Sequence, residues 1–248
     1  MCIRDRSSVL FIYDSSTKGV NKMSLIEARD ITRTYGKGTT SFQALRGVSL
    51  KIEKGESVAI IGKSGSGKST LMHIMALLDH PSSGSILLND QPTAKIKAKS
   101  LNKLRNQTFG FVFQQFFLNA QDSVLENVML PMKIAGVTGK KRRELAASAL
   151  EAVGLEAKMN NKASALSGGQ KQRVCIARAL VNNPEIIFTD EPTGNLDSNT
   201  GAKVEDILFK LNREKGITLI IVTHDPDLAQ KCDRQIQIKD GQVVKGDF

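Results

Sequence analysis

The sequence contains no apolar run approaching the ~18 to 20 residues that a membrane-spanning helix needs, so any work done in a bilayer is expected to fall to a partner. Cysteine is scarce. Cys2, Cys175 and Cys232 lie far apart and form no C-x-x-C pair, which argues against a zinc site and a disulfide framework and fits incidental thiols in a reducing compartment. Internal repeats and heptad arrays are also missing, which excludes a solenoid or a long coiled coil. What remains is ordinary for a globular protein: 248 residues, 40% apolar and 24% charged, enough for one large domain or one domain carrying a small insertion. The net charge of +10 suits anionic ligands of several classes and does not choose among them.

The first 22 residues read apart from the rest. Val9–Tyr13 is shorter than the ~7 to 15 apolar residues of a signal-peptide core, and no small-residue cleavage site follows. Met1–Arg6 reads like translated sequencing-adapter sequence, so Met23 is the expected natural start and residues 1–22 an expected disordered, dispensable extension.

From Leu25 onward strand and helix signals alternate. Ile26–Thr34 and Ala44–Ile52 alternate apolar and polar residues about a Gly/Thr-rich turn, and Ser57–Ile61 is a short apolar run suited to a buried strand. Thr70–Leu78 reads as a helix, Gly84–Leu88 and Phe109–Phe113 as strands. Residues ~120–165 change character: Val124–Lys133 and Arg142–Val153 look helical, and β-branched residues thin out, which predicts a helical insertion. Strand signals return at Glu185–Thr189 and Thr218–Val222. Between them Val204, Ile207, Leu208 and Leu211 fall on one helical face. Such alternation predicts an α/β fold, a largely parallel sheet with helices on its faces.

Gly62, Lys63, Ser64, Gly65, Ser66, Gly67, Lys68 and Ser69, followed by Thr70, fit G-x-x-x-x-G-K-[ST] between a strand and a helix, the context this motif requires. Glycines let the backbone curl so that successive N–H groups face phosphate oxygens, and the helix adds its positive end. Lys68 is expected to reach the β- and γ-phosphates and the Ser69 hydroxyl to ligate Mg²⁺. Glu185–Thr189 ends in Asp190 and Glu191, two carboxylates at the C-terminal edge of a strand, where α/β folds place ligands. Asp190 is expected to hold Mg²⁺ and Glu191 to orient the attacking water, since phosphoanhydride hydrolysis needs positioning more than covalent help.

Between these elements lies Leu166-Ser-Gly-Gly-Gln170 ahead of the helix-forming Lys171–Val181, a second anion-ready helix start. With these residues the sequence resembles, over residues 25–248, the nucleotide-binding subunits of ABC transporters. The resemblance implies a P-loop NTPase core with a mixed sheet, an N-terminal antiparallel β subdomain and an inserted α-helical subdomain near residues 115–165, the whole spanning residues 23–248. It implies two ATP molecules sandwiched in a head-to-tail dimer, with Ser167, Gly168, Gly169 and Gln170 of one copy covering the γ-phosphate held by the other. By the same resemblance Gln114 (rather than its neighbour Gln115) senses Mg²⁺, Asp197 in the Gly194–Asp197 loop shapes the opposite site, His224 contacts the γ-phosphate and Tyr35 stacks on adenine. Phe109, Phe111 and Phe113 alternate as core residues would, while Phe116 and Phe117 fall where the family forms a groove for a partner's coupling helix.

Departures from the family pattern are small: Lys63 fills a variable P-loop position, and Asn119-Ala120 replaces the usual Leu/Ile-Pro, which touches the partner surface and not the chemistry. The phrases Asp190–Asp197 and Ala44–Val48 look like the branch of macrolide exporters, lipoprotein-release ATPases and the FtsE-type division ATPase. The expected partners are therefore a second copy and an integral membrane permease, with the chain peripheral on the cytoplasmic face of the membrane. The rival class, soluble ABC ATPases of nucleic-acid repair or translation, usually carries two cassettes, coiled-coil arms or zinc insertions. One P-loop, no heptads and no cysteine cluster between Thr70 and Leu166 disfavour it, and no direct nucleic-acid contact is expected. Lys140–Arg143 and the bases at Lys95, Lys97, Lys99, Lys103 and Arg105 are read as solvated faces.

Overall fold

The structure, a computed structural model, describes residues 24–245; the extension expected at residues 1–22 lies outside them. Two sheets form. Strands β1 (Ser24–Tyr35), β2 (Phe42–Glu53), β4 (Ser83–Leu88) and β5 (Gln91–Pro92) make an antiparallel sheet in the order β2-β1-β4-β5. The second sheet, β10-β9-β3-β8-β7-β6, takes β3 (Ser57–Ile61), β6 (Phe109–Phe113), β7 (Ile186–Asp190), β8 (Thr218–Thr223) and β9 (Arg234–Lys239) in parallel. Only β10 (Gln242–Lys245) runs against its neighbour, so the sheet is mixed and the first sheet antiparallel, as the resemblance implied.

The β3, β7 and β8 strands are buried along nearly their whole length because both faces of the six-stranded sheet are covered. The two-residue period of a strand divides their side chains between two cores. Ile186, Phe188, Ile220 and Val222 join the core under helix α1 (Lys68–Met75) and the antiparallel sheet. Ile187, Leu219 and Ile221 join the core under α5 (Gly168–Leu180) and α6 (Ser198–Lys215).

The inserted helices are α3 (Val124–Ile134) and α4 (Gly139–Glu151), which pack on α5 through Val124, Val128, Met132, Ala146 and Leu150. Helix α3 starts at a capping box, in which Ser123 Oγ accepts from Glu126 N–H at 3.1 Å and Glu126 accepts from Ser123 N–H at 2.9 Å. Helix α6 starts on the Asp197 side chain and stops at Gly216, φ 64°. The short α7 (Pro226–Gln230) is capped by Asp225 with proline in its first turn.

Lys95, Lys97, Lys99 and Lys103, before and along helix α2 (Ala98–Thr108), are exposed as expected of a solvated face; Arg105 is the correction, since it donates to Leu77 O at 2.7 Å and fastens α2 to the end of α1. Arg142 likewise turns back and donates to Val137 O at 2.9 Å. Cys175 is buried, its thiol donates to Phe116 O at 3.1 Å, and burial pushes its pKa up to about 11, an unreactive structural thiol.

Candidate functional site

The loop between β3 and α1 curls because three of its glycines take backbone angles that other residues resist: Gly62 at φ 154°, Gly65 at 76° and Gly67 at 103°. At Gly67 the need is also spatial, since a Cβ there would stand 2.6 Å from Ala44 O. Gly67 is the N-cap of α1 and offers no side-chain cap, so the helix start faces a cavity of about 760 Å³. Lys68 Nζ donates to Gly62 O and Lys63 O, both at 2.9 Å, and is held across the loop it serves.

The strands β7 and β8 end on the same cavity. Asp190 is partly buried, and that burial raises its pKa despite the Ser69 hydroxyl bonded to it; neighbouring Glu191 adds to the rise. Glu191 sits at φ 48°, a left-handed angle costly for any residue with a Cβ, and its carboxylate meets the end of β8. There Oε1 takes His224 N–H at 3.0 Å and lies 2.6 Å from His224 Nδ1, while Oε2 takes the Thr223 hydroxyl at 3.1 Å. Both carboxylate oxygens are thus fixed by residues of one strand end.

The cavity wall brings together Tyr35, Gly62, Lys63, Ser64, Gly65, Gly67, Lys68, Ser69, Thr70, Gln114, Asp190, Glu191 and His224. Ser66 faces an adjoining hollow, its hydroxyl buried. Gln114 is in the wall and Gln115 is not; Gln114 Nε2 donates to Asn195 Oδ1 at 3.3 Å and Gln114 O accepts from Asn195 Nδ2 at 3.0 Å. Ser167, Gly168, Gly169, Gln170 and Asp197 are not in the wall. Ser167 caps α5 in a box with Gln170, and Asp197 caps α6, its carboxyl held below the usual range by the Thr200 hydroxyl and N–H.

Two side chains at or behind the site escape motif reading. Phe42 lines the cavity, 57% exposed, and pairs in register with Tyr35 across the turn; its one signal is an aromatic at the far foot of the Gly/Thr-rich turn. Gln172, fully buried on α5, donates to Phe113 O at 3.3 Å and Pro192 O at 2.7 Å, tying the helix that begins at Ser167–Gln170 to the ends of β6 and β7.

A second hollow of about 540 Å³ opens beside β6 and α3, its apolar wall made by Phe111, Phe113, Phe117, Leu130 and Ile134. Of these, Phe117, Leu130 and Ile134 are strongly exposed. Phe109 is buried, and Phe111 and Phe113 pack against the same core, as expected of the alternating strand; all three also reach the groove, with Phe111 and Phe113 stacked at 5.8 Å. The expectation for the next pair is corrected in half: Phe117 lines the groove, but Phe116 packs inward on the helical core, with the backbone at Phe117 left-handed, φ 46°.

A P-loop between strand and helix, a carboxylate pair at the end of β7, one strand removed across β8, and a mixed sheet define a P-loop nucleotide hydrolase. Residues 45–194, more than half of the chain, match the ABC transporter family; the chain belongs to that family. It is 49% identical over 220 residues to the lipoprotein-releasing system ATP-binding protein LolD of Syntrophus aciditrophicus, covering 89% of this chain and 99% of that one. It is also 49% identical over 222 residues to the macrolide export ATP-binding/permease protein MacB of Neisseria meningitidis, covering 90% of this chain and 34% of that one, so it spans about a third of the macrolide-export relatives. Among solved structures it resembles the dimeric ATP-binding cassette MJ0796 in a post-hydrolysis state bound to ADP and Pi, with a TM-score of 0.82 and 43% identity over 90% of this chain and 97% of that one. These relatives place it in the lipoprotein-release and macrolide-export branch.

Proposed function

We propose that two copies of this chain close head to tail on two Mg-ATP molecules and hydrolyse them to drive a membrane permease. The chain is an ATP-hydrolysing subunit of the ABC transporter class. The observation that carries the dimer is the division of the site: the cavity of one chain collects Tyr35, the P-loop, Asp190, Glu191 and His224, while Ser167–Gln170 and Asp197 face elsewhere. A second helix start rich in free N–H groups finds a phosphate only if another copy supplies it. The solved relative named above is itself a dimer bound to ADP and Pi.

Within the cavity Lys68 and the loop N–H groups bind the β- and γ-phosphates and Tyr35 stacks on adenine. Mg²⁺ fits the donor set, since the Ser69 hydroxyl, the Asp190 carboxylate and the Gln114 amide offer hard oxygens; the ion neutralises phosphate charge when bound. Glu191, with both oxygens already oriented by His224 and Thr223, directs a water at the γ-phosphorus, and His224 is placed to sense that phosphate.

No helix among the described residues is long and apolar enough to cross a membrane. The Phe111–Phe113–Phe117 groove receives a cytoplasmic helix of the permease, which puts the chain on the inner face of the membrane. The branch points to export or extracytoplasmic movement of the macrolide, lipoprotein or peptide type. Glu191→Gln tests the mechanism: turnover should fall by about 10²- to 10⁴-fold while ATP traps a dimer in size-exclusion chromatography. Sustained hydrolysis by the variant, or a monomer in ATP, overturns the reading.

A further inference from the structure

Tyr35 lies at the last position of β1, 39% exposed. Two contacts hold its ring, and a third joins the two residues that make them. The Tyr35 hydroxyl donates to Asp79 Oδ2 at 2.9 Å. Arg33, two residues back and therefore on the same face of the strand, lies with its guanidinium carbon 4.5 Å from the ring centroid and donates to Asp79 Oδ1 at 2.8 Å. Arg33 takes no part in the cavity wall and Tyr35 does, so the guanidinium covers one ring face and leaves the other to the cavity.

Asp79 is itself anchored. Its N–H and that of Leu78 both donate to His73 O, closing the last turn of the P-loop helix, and His80 N–H donates to Asp79 Oδ1 at 2.7 Å. The next residues are sewn to β1: Ser82 N–H to Thr32 O at 2.8 Å, Thr34 N–H to Ser82 Oγ at 3.0 Å, and the Thr32 and Ser83 hydroxyls 2.7 Å apart. Partial burial works to raise the Asp79 pKa, but the His80 N–H, the Tyr35 hydroxyl and Arg33 outweigh it and keep the carboxylate below its ordinary range, so it remains an acceptor at neutral pH. The segment that starts by cradling phosphates at Lys68 therefore ends by gripping the aromatic ring.

We infer that Asp79 is a positioning residue for nucleotide recognition: it locks Tyr35, with Arg33 behind the ring, at a fixed reach from the P-loop and so sets the base-to-phosphate distance the site accepts. The inference rests on the proposed nucleotide site and deepens it. A ring fixed beforehand does not lose rotamer freedom on binding, a cost of about two- to tenfold in affinity for a side chain ordered by its ligand.

Calorimetry with two probes, Mg-ATP and Mg-bound inorganic triphosphate, tests it. Asp79→Ala should weaken Mg-ATP by about two- to tenfold, leave Mg-triphosphate unchanged, and raise KM for ATP without lowering kcat. Tyr35→Phe, which keeps the ring and removes the hydroxyl, should weaken Mg-ATP comparably, and the double variant should be no worse than Asp79→Ala alone. Equal loss of both probes would show that Asp79 acts on the phosphate loop through α1 and overturn the proposal, as would unchanged Mg-ATP affinity in Tyr35→Phe, a variant that keeps every buried contact should Asp79→Ala fail to fold. A wild-type chain that binds neither probe would overturn the nucleotide reading itself.

Discussion

The chain carries two glycine-rich helix starts, and they are finished in opposite ways. At α1 the N-cap is Gly67, left-handed and without a side-chain cap, opening on a cavity of about 760 Å³. At α5 the N-cap is Ser167, whose hydroxyl accepts from Gln170 N–H while the Gln170 side chain accepts from Ser167 N–H at 3.0 Å. Helix starts leave N–H groups without intrahelical partners. The first leaves them to a ligand and recruits Lys68 to add charge; the second satisfies part of its own set and is stable alone. On the proposed function, the first is a binding site within a single copy and the second a surface that meets a ligand on docking.

The largest expected effect removes the charge from the open start. Lys68→Ala should cut Mg-ATP affinity by about two orders of magnitude, since hydrogen bonds to charged groups contribute about 1.5–3 kcal/mol each, and should abolish turnover. The fold should survive, because the Lys68 ammonium touches only the loop carbonyls Gly62 O and Lys63 O. Calorimetry and a phosphate-release assay check this; retained binding would mean that the loop N–H groups and helix end hold the phosphates unaided. The self-capped start is probed by Ser167→Arg, which places a bulky cation on the docking surface. Mg-ATP affinity of the single copy should stay within about twofold, because Ser167 is outside the cavity wall, while ATP-dependent dimerisation is lost. A variant that still dimerises on ATP, seen by light scattering, breaks the division between the two starts.

The two starts also differ in what could be read from sequence. Gly62–Ser69 was legible as a strand–loop–helix cradle because its parts are contiguous, although Ser66 turns to an adjoining hollow. Asp190 and Glu191 were legible for the same reason, as the polar end of an apolar run. The contact between Glu191 and His224 was not, because it depends on β7 and β8 lying side by side and on the left-handed angle at Glu191. Helix α2 carries little apolar periodicity: of its apolar residues Leu101 and Leu104 pack inward, and much of its hold on the fold is polar, through the Arg105 bond to Leu77 and the Asn106 bonds to Pro131 and Asn182. Strand β9 does carry a signal, with Ile236 and Ile238 buried between exposed polar neighbours. Phe116 and Phe117 are adjacent and indistinguishable by type, yet one turns into the core and the other out, where the backbone at Phe117 takes a left-handed angle. Asp79 had no motif around it, since its role is a contact with a strand 44 residues earlier.

The smallest predicted effect concerns the glycine that keeps the two helix starts of α5 and α6 together. A Cβ on Gly169 would fall on Thr200 Cγ2, and Thr200 cannot simply turn away, because its hydroxyl and N–H both serve Asp197, the N-cap of α6. Gly169→Ala should therefore destabilise the chain by about 1–3 kcal/mol, the usual cost of overpacking a close contact, read as a lower urea midpoint with unchanged slope. Thr200→Ser removes the colliding methyl and keeps the hydroxyl, so the double variant should recover most of the loss. Mg-ATP affinity at the open start should not move in either variant, because Gly169 and Thr200 are outside that cavity. Were Gly169→Ala neutral, Gly169 would be there for the docking surface alone; were the loss not recovered by Thr200→Ser, the clash would lie in the α5 backbone and the two helix starts would be less tightly joined than their contact indicates.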